Sequence, residues 1–234
     1  MYAAAMGLLT LGSNLSVNAQ TKAKVHYSEK RLKTDTSKAD FDGPYIFYTQ
    51  TEAVVKQIVE KNQQATLVSE TFKNPIAGKK LTCYVDNKEH FSFKVQELLQ
   101  NQPSVYQMPE KLIAISDIEG RYQEFKQFLI ANKVMDKNYK WTFGKGHLVT
   151  VGDFFDRGLL VNQTLWLIYS LEEQAEKAGG KVHFILGNHD LMNMKNDFRY
   201  TRKKYLENAK LMGVEYYDLY KPNTELGRWL ATKN

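Results

Sequence analysis

One cysteine, Cys83, is present in 234 residues. That excludes an internal disulfide and any zinc site built from several thiolates. The residues around Cys83 alternate in polarity, so it reads as a half-buried strand residue and not as a nucleophile. The first 19 residues carry no charge at all, yet their apolar centre is too short and too interrupted to span a membrane stably. Basic residues outnumber acidic ones, 32 to 26, but they are spread along the chain and form no cluster. With no recognised binding motif either, nucleic acid is not expected as the partner, and the mild excess favours an anionic substrate. There is no low-complexity tract and no internal repeat beyond an alternation of strand and helix patterns. What remains is ordinary for a soluble globular chain, 43% apolar and 25% charged, with length for one domain plus an extension.

In residues 1–19, Leu8-Leu9-Thr10-Leu11 forms an apolar centre, and Val17-Asn18-Ala19 places small residues where signal peptidase reads them. Cleavage before Gln20 and export, to the periplasm, are expected, although the usual basic start is missing. Residues 20–42 are polar and charged without a sustained period, and read as a linker. Residues 43–108 read as a small α+β extension. Segments 44–49 and 66–72 are rich in β-branched and aromatic residues, and Val54, Val55, Ile58 and Val59 predict a helix over 51–62. Segments 80–85 and 90–95 flank Asp86-Asn87-Lys88-Glu89 and read as a hairpin. His26 and His90 read as surface residues.

The chemistry concentrates further on. The strand pattern His147-Leu148-Val149-Thr150-Val151 runs into GDFFDRG, residues 152–158. Glycine lets backbone approach a ligand, carboxylates suit hard or borderline metal ions, and arginine suits phosphate. Upstream, Lys111-Leu112-Ile113-Ala114-Ile115 runs into Ser116-Asp117-Ile118-Glu119-Gly120-Arg121. Downstream, Lys181-Val182-His183-Phe184-Ile185-Leu186 runs into Gly187-Asn188-His189-Asp190. Asp117, Asp153 and Asn188 follow one another at intervals of 36 and 35 residues, the size of a βαβ unit. Right-handed crossovers then bring all three loops to one edge of a parallel sheet. His147 and His183 fall inside the strand patterns and read as packing or hydrogen-bonding residues. Helices are expected after each loop, on Tyr122, Phe125, Phe128 and Leu129, then on Leu165, Ile168, Leu171 and Ala175, then on Phe198, Tyr205, Ala209 and Met212. A last one is expected on Leu226, Trp229 and Leu230.

The set GD-x-x-DRG and GNH followed by Glu or Asp, preceded by D-x-x-G, resembles the calcineurin-like metallophosphoesterase superfamily. Its DRG ending resembles the phosphoprotein phosphatase branch, including the Shewanella-like phosphatases. The resemblance begins at about Leu112. It implies an α/β fold, part of a β-sandwich flanked by helices, over residues 109–234. It also implies two divalent metal ions (Mn, Fe, Zn or Mg, with Mn favoured) and a bridging hydroxide. Asp153 would bridge the ions, Asp117 would bind the first, and Asn188 the second while touching the phosphate. His189 would protonate the leaving alkoxide, Asp156 would hold its ring, and Arg157 would grip the phosphoryl oxygens.

Two departures accompany the resemblance. Glu119 stands where the family usually has histidine, so it is either a harder ligand to the first ion or an acceptor behind the ligands. No histidine follows His189, whereas the family completes its site with later histidines. The expectation is therefore that residues 109–234 represent the N-terminal half, that the coding frame continues, and that this stretch alone has almost no activity. The leading function is a metal-dependent phosphomonoesterase of serine/threonine-phosphatase type, acting on a phosphoprotein or a small phosphomonoester. The alternatives are a phosphodiesterase or nuclease on the same scaffold, or an inactive phosphate- or partner-binding module.

Overall fold

The structure, a computed structural model, describes residues 29–234, so the predicted signal peptide lies outside the described residues. After a short helix α1 (Glu29–Thr34), three antiparallel strands form one sheet, in the order β1 (Asp42–Tyr48), β2 (Glu52–Lys61), β3 (Gln64–Lys73). A two-stranded hairpin follows, β4 (Lys80–Tyr84) with β5 (His90–Lys94), as its sequence predicts. Cys83 lies in β4, wholly buried, and its thiol donates to the Gly43 carbonyl at 3.3 Å. Burial pushes that thiol well up, which fits an inert packing residue.

Residues 51–62 are not helical. They form β2, the central strand of its sheet, paired with β1 on one edge and β3 on the other. The helical spacing of Val54, Val55, Ile58 and Val59 is misleading. Ala53 and Val55 alternate as a strand requires, but the buried set then slips to Ile58, where the pairing with β1 is irregular between Asp42 and Tyr45. Four β-branched residues at these positions favour a strand once both edges are hydrogen-bonded. The stretch expected to be a linker is also tied down over its last residues. Asp35 takes the Arg202 guanidinium at 2.7 and 2.9 Å, and Asp40 donates its N–H to Asn208 at 3.2 Å. Hydrogen bonds to Arg202 hold the Asp35 carboxyl below the usual range, overcoming the opposing push of burial.

The second half alternates as expected, giving the chain its mixed α/β character. Strands β6 (Leu112–Ser116), β7 (His147–Val151) and β8 (Lys181–Ile185) form a parallel sheet in that order. Helix α2 (Tyr122–Ala131) connects β6 toward β7, and α3 (Val161–Lys177) connects β7 to β8. After β8 come α4 (Asn188–Met194), α5 (Lys203–Leu211), a 3-10 turn over Tyr216–Tyr220, and α6 (Glu225–Leu230). One face of the sheet, with Leu148, Val182 and Phe184, is buried; Phe184 stacks on Phe154 at 4.1 Å and meets Trp229 at 4.9 Å. The long α3 is buried along most of its length, and its Trp166 stacks on Phe93 of β5, joining the two halves in one core. Among the described residues no helix is long and apolar enough to cross a membrane.

The other sheet face carries Leu112, Val151 and Ile185, which stay 48%, 46% and 37% exposed. Here His147 and His183 sit on adjacent strands, their ring nitrogens 2.9 Å apart, with Tyr106 edge-on to His183. One imidazole donates to the other only if the acceptor nitrogen is unprotonated. Burial lowers both, His183 to about 4, helped by His147 and Lys181. Both folded values lie below the unfolded one, so the unfolded chain binds more protons over this range. Stability should therefore fall as pH drops from about 6.5 toward 4. Urea unfolding across that range should show the loss, and His183→Gln should flatten it. An unchanged slope in the variant would assign the loss to other groups.

Candidate active site

Each of the three parallel strands ends in a loop at the same sheet edge, and backbone bonds interlock them. Asp117 N–H donates to the Gly152 carbonyl at 3.2 Å, Glu119 N–H to the Asp153 carbonyl at 2.8 Å, and Gly120 N–H to the Phe154 carbonyl at 2.9 Å. Loop β7 and loop β8 approach more closely still. A Cβ on Gly187 would lie 2.2 Å from Asp153 Oδ1, and one on Gly152 would lie 2.6 Å from the Gly187 Cα. Gly152 also has a φ of +71°, so only glycine suits both demands there. Asp117, Glu119, Asp153, Asp156 and Arg157 all take φ between 47° and 73° without being glycine. Such backbone is uncommon and clusters at functional sites.

Asp190 is the knot. Its Oδ1 accepts from Phe154 N–H at 2.8 Å and Phe155 N–H at 3.2 Å, and its Oδ2 from Gly187 N–H at 2.7 Å and Asp153 N–H at 3.0 Å. Burial pushes its carboxyl up to about 6, against the pull of these donors toward the ionised form. The motif signals a residue here, but its structural role was not visible from composition.

The predicted residues gather as follows. Asp117 and Asn188 are exposed at their strand ends, and Asp153 is half-buried between them in sheet order. Asp153 Oδ1 accepts the His189 N–H at 3.0 Å, which fixes the carboxylate against the start of α4. Among the described residues, no three His, Cys, Asp or Glu side chains form a group able to hold a metal. His189 is buried, and its Nδ1 lies 2.7 Å from Asp156 Oδ2. An ionised carboxylate only accepts, so Nδ1 carries the hydrogen and Nε2 is left facing the site. Arg157 Nη2 lies 3.5 Å from that Nε2, while its Nη1 pairs with Glu119 Oε1 at 2.5 Å. Glu119 is buried and turned to the arginine. The Tyr200 ring, unremarked in the sequence, lies against His189 with centroids 5.0 Å apart.

The knot is testable on stability. Asp190→Asn keeps the volume but turns an amide N–H₂ toward N–H donors, leaving buried donors unserved. Urea unfolding should show a loss of about 1–3 kcal/mol. A loss below about 1 kcal/mol, within the range of an ordinary net hydrogen bond, would mean the loops do not depend on it.

Residues 110–231 match the calcineurin-like phosphoesterase family. The chain is 36% identical over 120 residues to Shewanella-like protein phosphatase 2 of Arabidopsis thaliana, covering 51% of this chain and 30% of that one. It is 34% identical over 97 residues to Shewanella-like protein phosphatase 1 of Plasmodium berghei, covering 42% and 27%. Among solved structures, it resembles the cold-active protein-tyrosine phosphatase of a psychrophile Shewanella sp., with TM-score 0.72 and 33% identity, covering 83% of this chain and 57% of that one. The chain thus spans under a third of these curated relatives' length and little over half of the solved one. The ordered motifs, the shared sheet edge and the match over residues 110–231 together place this chain in the calcineurin-like phosphoesterase family.

Proposed function

We propose that the protein hydrolyses phosphomonoesters at the edge of the β6–β7–β8 sheet. The observation that carries this reading is the His189–Asp156 pair, joined at 2.7 Å and buried, with the Arg157 guanidinium beside His189 Nε2. A proton donor and a phosphate-binding group then share one face of the site. The relatives named protein phosphatases support the same reaction class.

Members of the family generally use divalent metal ions. The residues present fit such ions in type, since Asp117, Asp153 and Asn188 offer an all-oxygen set at adjoining strand ends. These three would hold two cations, Mn²⁺ favoured, with Asp153 shared between them. When bound, the ions supply Lewis acidity and lower the pKa of water. Arg157 contributes a forked set of N–H donors for the phosphoryl oxygens. Glu119, paired with that guanidinium, would either add a carboxylate to the first ion beside Asp117 or aim the arginine from behind the ligands. His189 Nε2 carries a proton to the leaving oxygen, and Asp156 keeps the ring turned for it. The substrate is a phosphoprotein or a small phosphomonoester. Export to the periplasm accords with Val17-Asn18-Ala19.

With Mn²⁺ added, the intact protein should turn over p-nitrophenyl phosphate faster than bis(p-nitrophenyl) phosphate. The reverse order would make it a diesterase, and no turnover of either would leave a binding module. His189→Asn should lower kcat on alkyl phosphates by about 10²–10⁴. The loss should shrink on p-nitrophenyl phosphate, whose leaving group hardly needs a proton. Equal losses on both substrates would refute the proton-donor role.

A further inference from the structure

Behind the His189–Asp156 pair lies a second layer of polar side chains, all buried, from three separate elements. Asn193 is in α4, Thr201 precedes α5, and Tyr216 opens the 3-10 turn; they are 1%, 1% and 3% exposed. Asn193 Nδ2 donates to Asp156 Oδ1 at 3.0 Å and to the His189 carbonyl at 2.9 Å. Thr201 Oγ1 lies 3.0 Å from Asp156 Oδ1 and 3.0 Å from Asn193 Oδ1. Tyr216 O–H donates to Asn193 Oδ1 at 3.1 Å.

The donors and acceptors assign themselves. The two N–H bonds of Asn193 face two acceptors, so its amide has one orientation only. Burial pushes the Tyr216 phenol well up, so it stays an O–H and serves the Asn193 oxygen. Thr201 has one proton and two neighbouring acceptors. The carboxylate draws it more strongly than the amide that Tyr216 already serves. Asp156 thus accepts three bonds, from His189 Nδ1, Asn193 Nδ2 and Thr201 Oγ1. Buried carboxylate oxygens need such partners, and in low dielectric each bond strengthens the others. With Asp156 fixed at both oxygens, the His189 ring has one tautomer and one direction.

We propose that Asn193, Thr201 and Tyr216 are positioning residues, a buried relay that locks Asp156 and through it keeps His189 Nε2 turned to the leaving group. The proposal rests on the reading of His189 as proton donor, and none of the three residues touches the substrate in it. Asn193 and Thr201 bond the Asp156 carboxylate directly, and Tyr216 reaches it through the Asn193 amide. They also explain why α4, the segment before α5 and the 3-10 turn gather under the sheet edge. The Asn193–Thr201–Tyr216 cluster is the polar contact they share.

The test uses the intact protein with Mn²⁺. Thr201→Val, close in shape but without the hydroxyl, should lower kcat on an alkyl phosphate by about tenfold, the low end of what orienting hydrogen bonds are worth. KM should hold, the loss on p-nitrophenyl phosphate should be smaller, and Thr201→Ser should restore the rate. In a His189→Asn background Thr201→Val should cost nothing further. If it costs the same factor there, or if Thr201→Ser fails to restore the rate, the residue is merely structural and the proposal falls. Should Thr201→Val not fold, Tyr216→Phe carries the same comparison. A readout independent of turnover is the imidazole NMR spectrum of His189. The wild type should show a protected Nδ1–H proton, and Thr201→Val should lose its protection. Absence of phosphatase activity in a wild type that keeps this proton would overturn the functional reading and leave the relay standing. A wild type without a protected proton at Nδ1 would overturn the relay itself.

Discussion

Four backbone N–H groups converge on Asp190, and the site depends on that convergence. Two belong to the residues after Asp153, one to Asp153 itself, and one to Gly187. The bonds join the loops of neighbouring strands without using any side chain that the chemistry needs. Because Asp190 does the holding, Asp153 can keep a half-buried carboxylate at the sheet edge. The interlock also requires backbone where side chains would collide, which is why glycine stands at 152 and 187. Five motif residues are held at positive φ around it. Strain of this kind persists only where the surroundings over-determine the backbone, and the three zipped loops supply that.

Much of this was legible in the sequence. Three short apolar strands, each running into a glycine-bracketed loop and separated by one βαβ length, fix a parallel sheet with its loops on one edge. The helices on Phe125, Leu165, Tyr205 and Leu226 read correctly in place, although α3 is buried on nearly every side of its first turns and Phe198, expected on one helix with Tyr205, precedes α5. The stretch 51–62 misled because its buried set slips phase at Ile58, so strand pairing overrode a spacing that mimics a helix. Residues 35–41 read as linker because their polar character is satisfied by Arg202 and Asn208, more than 160 residues away. Asn193, Thr201 and Tyr216 were invisible for a related reason. A polar residue in a helix or loop looks like surface until the partner that buries it is known.

Electrostatics divides the site into two parts. The ring of His189 and the carboxylate of Asp156 are buried, joined to each other and to Asn193 and Thr201. Asp117, Asn188 and the Arg157 guanidinium face solvent, where charge can be met by ions or phosphate. Glu119 stands at the boundary. Its carboxylate is buried, and its partner is the exposed arginine. That arrangement suits binding outside and proton movement inside.

On the proposed reading, Asp153 and its neighbours would hold divalent cations at this edge. The most direct measurement is Mn²⁺ binding by electron paramagnetic resonance, comparing the wild type with Asp153→Asn under matched folding. A carboxylate shared by two ions loses charge from both sites when it becomes an amide. Binding should be saturable in the wild type and at least tenfold weaker in the variant, within the roughly 10- to 100-fold range seen when even supporting groups are removed. Equal binding in the two proteins would contradict it.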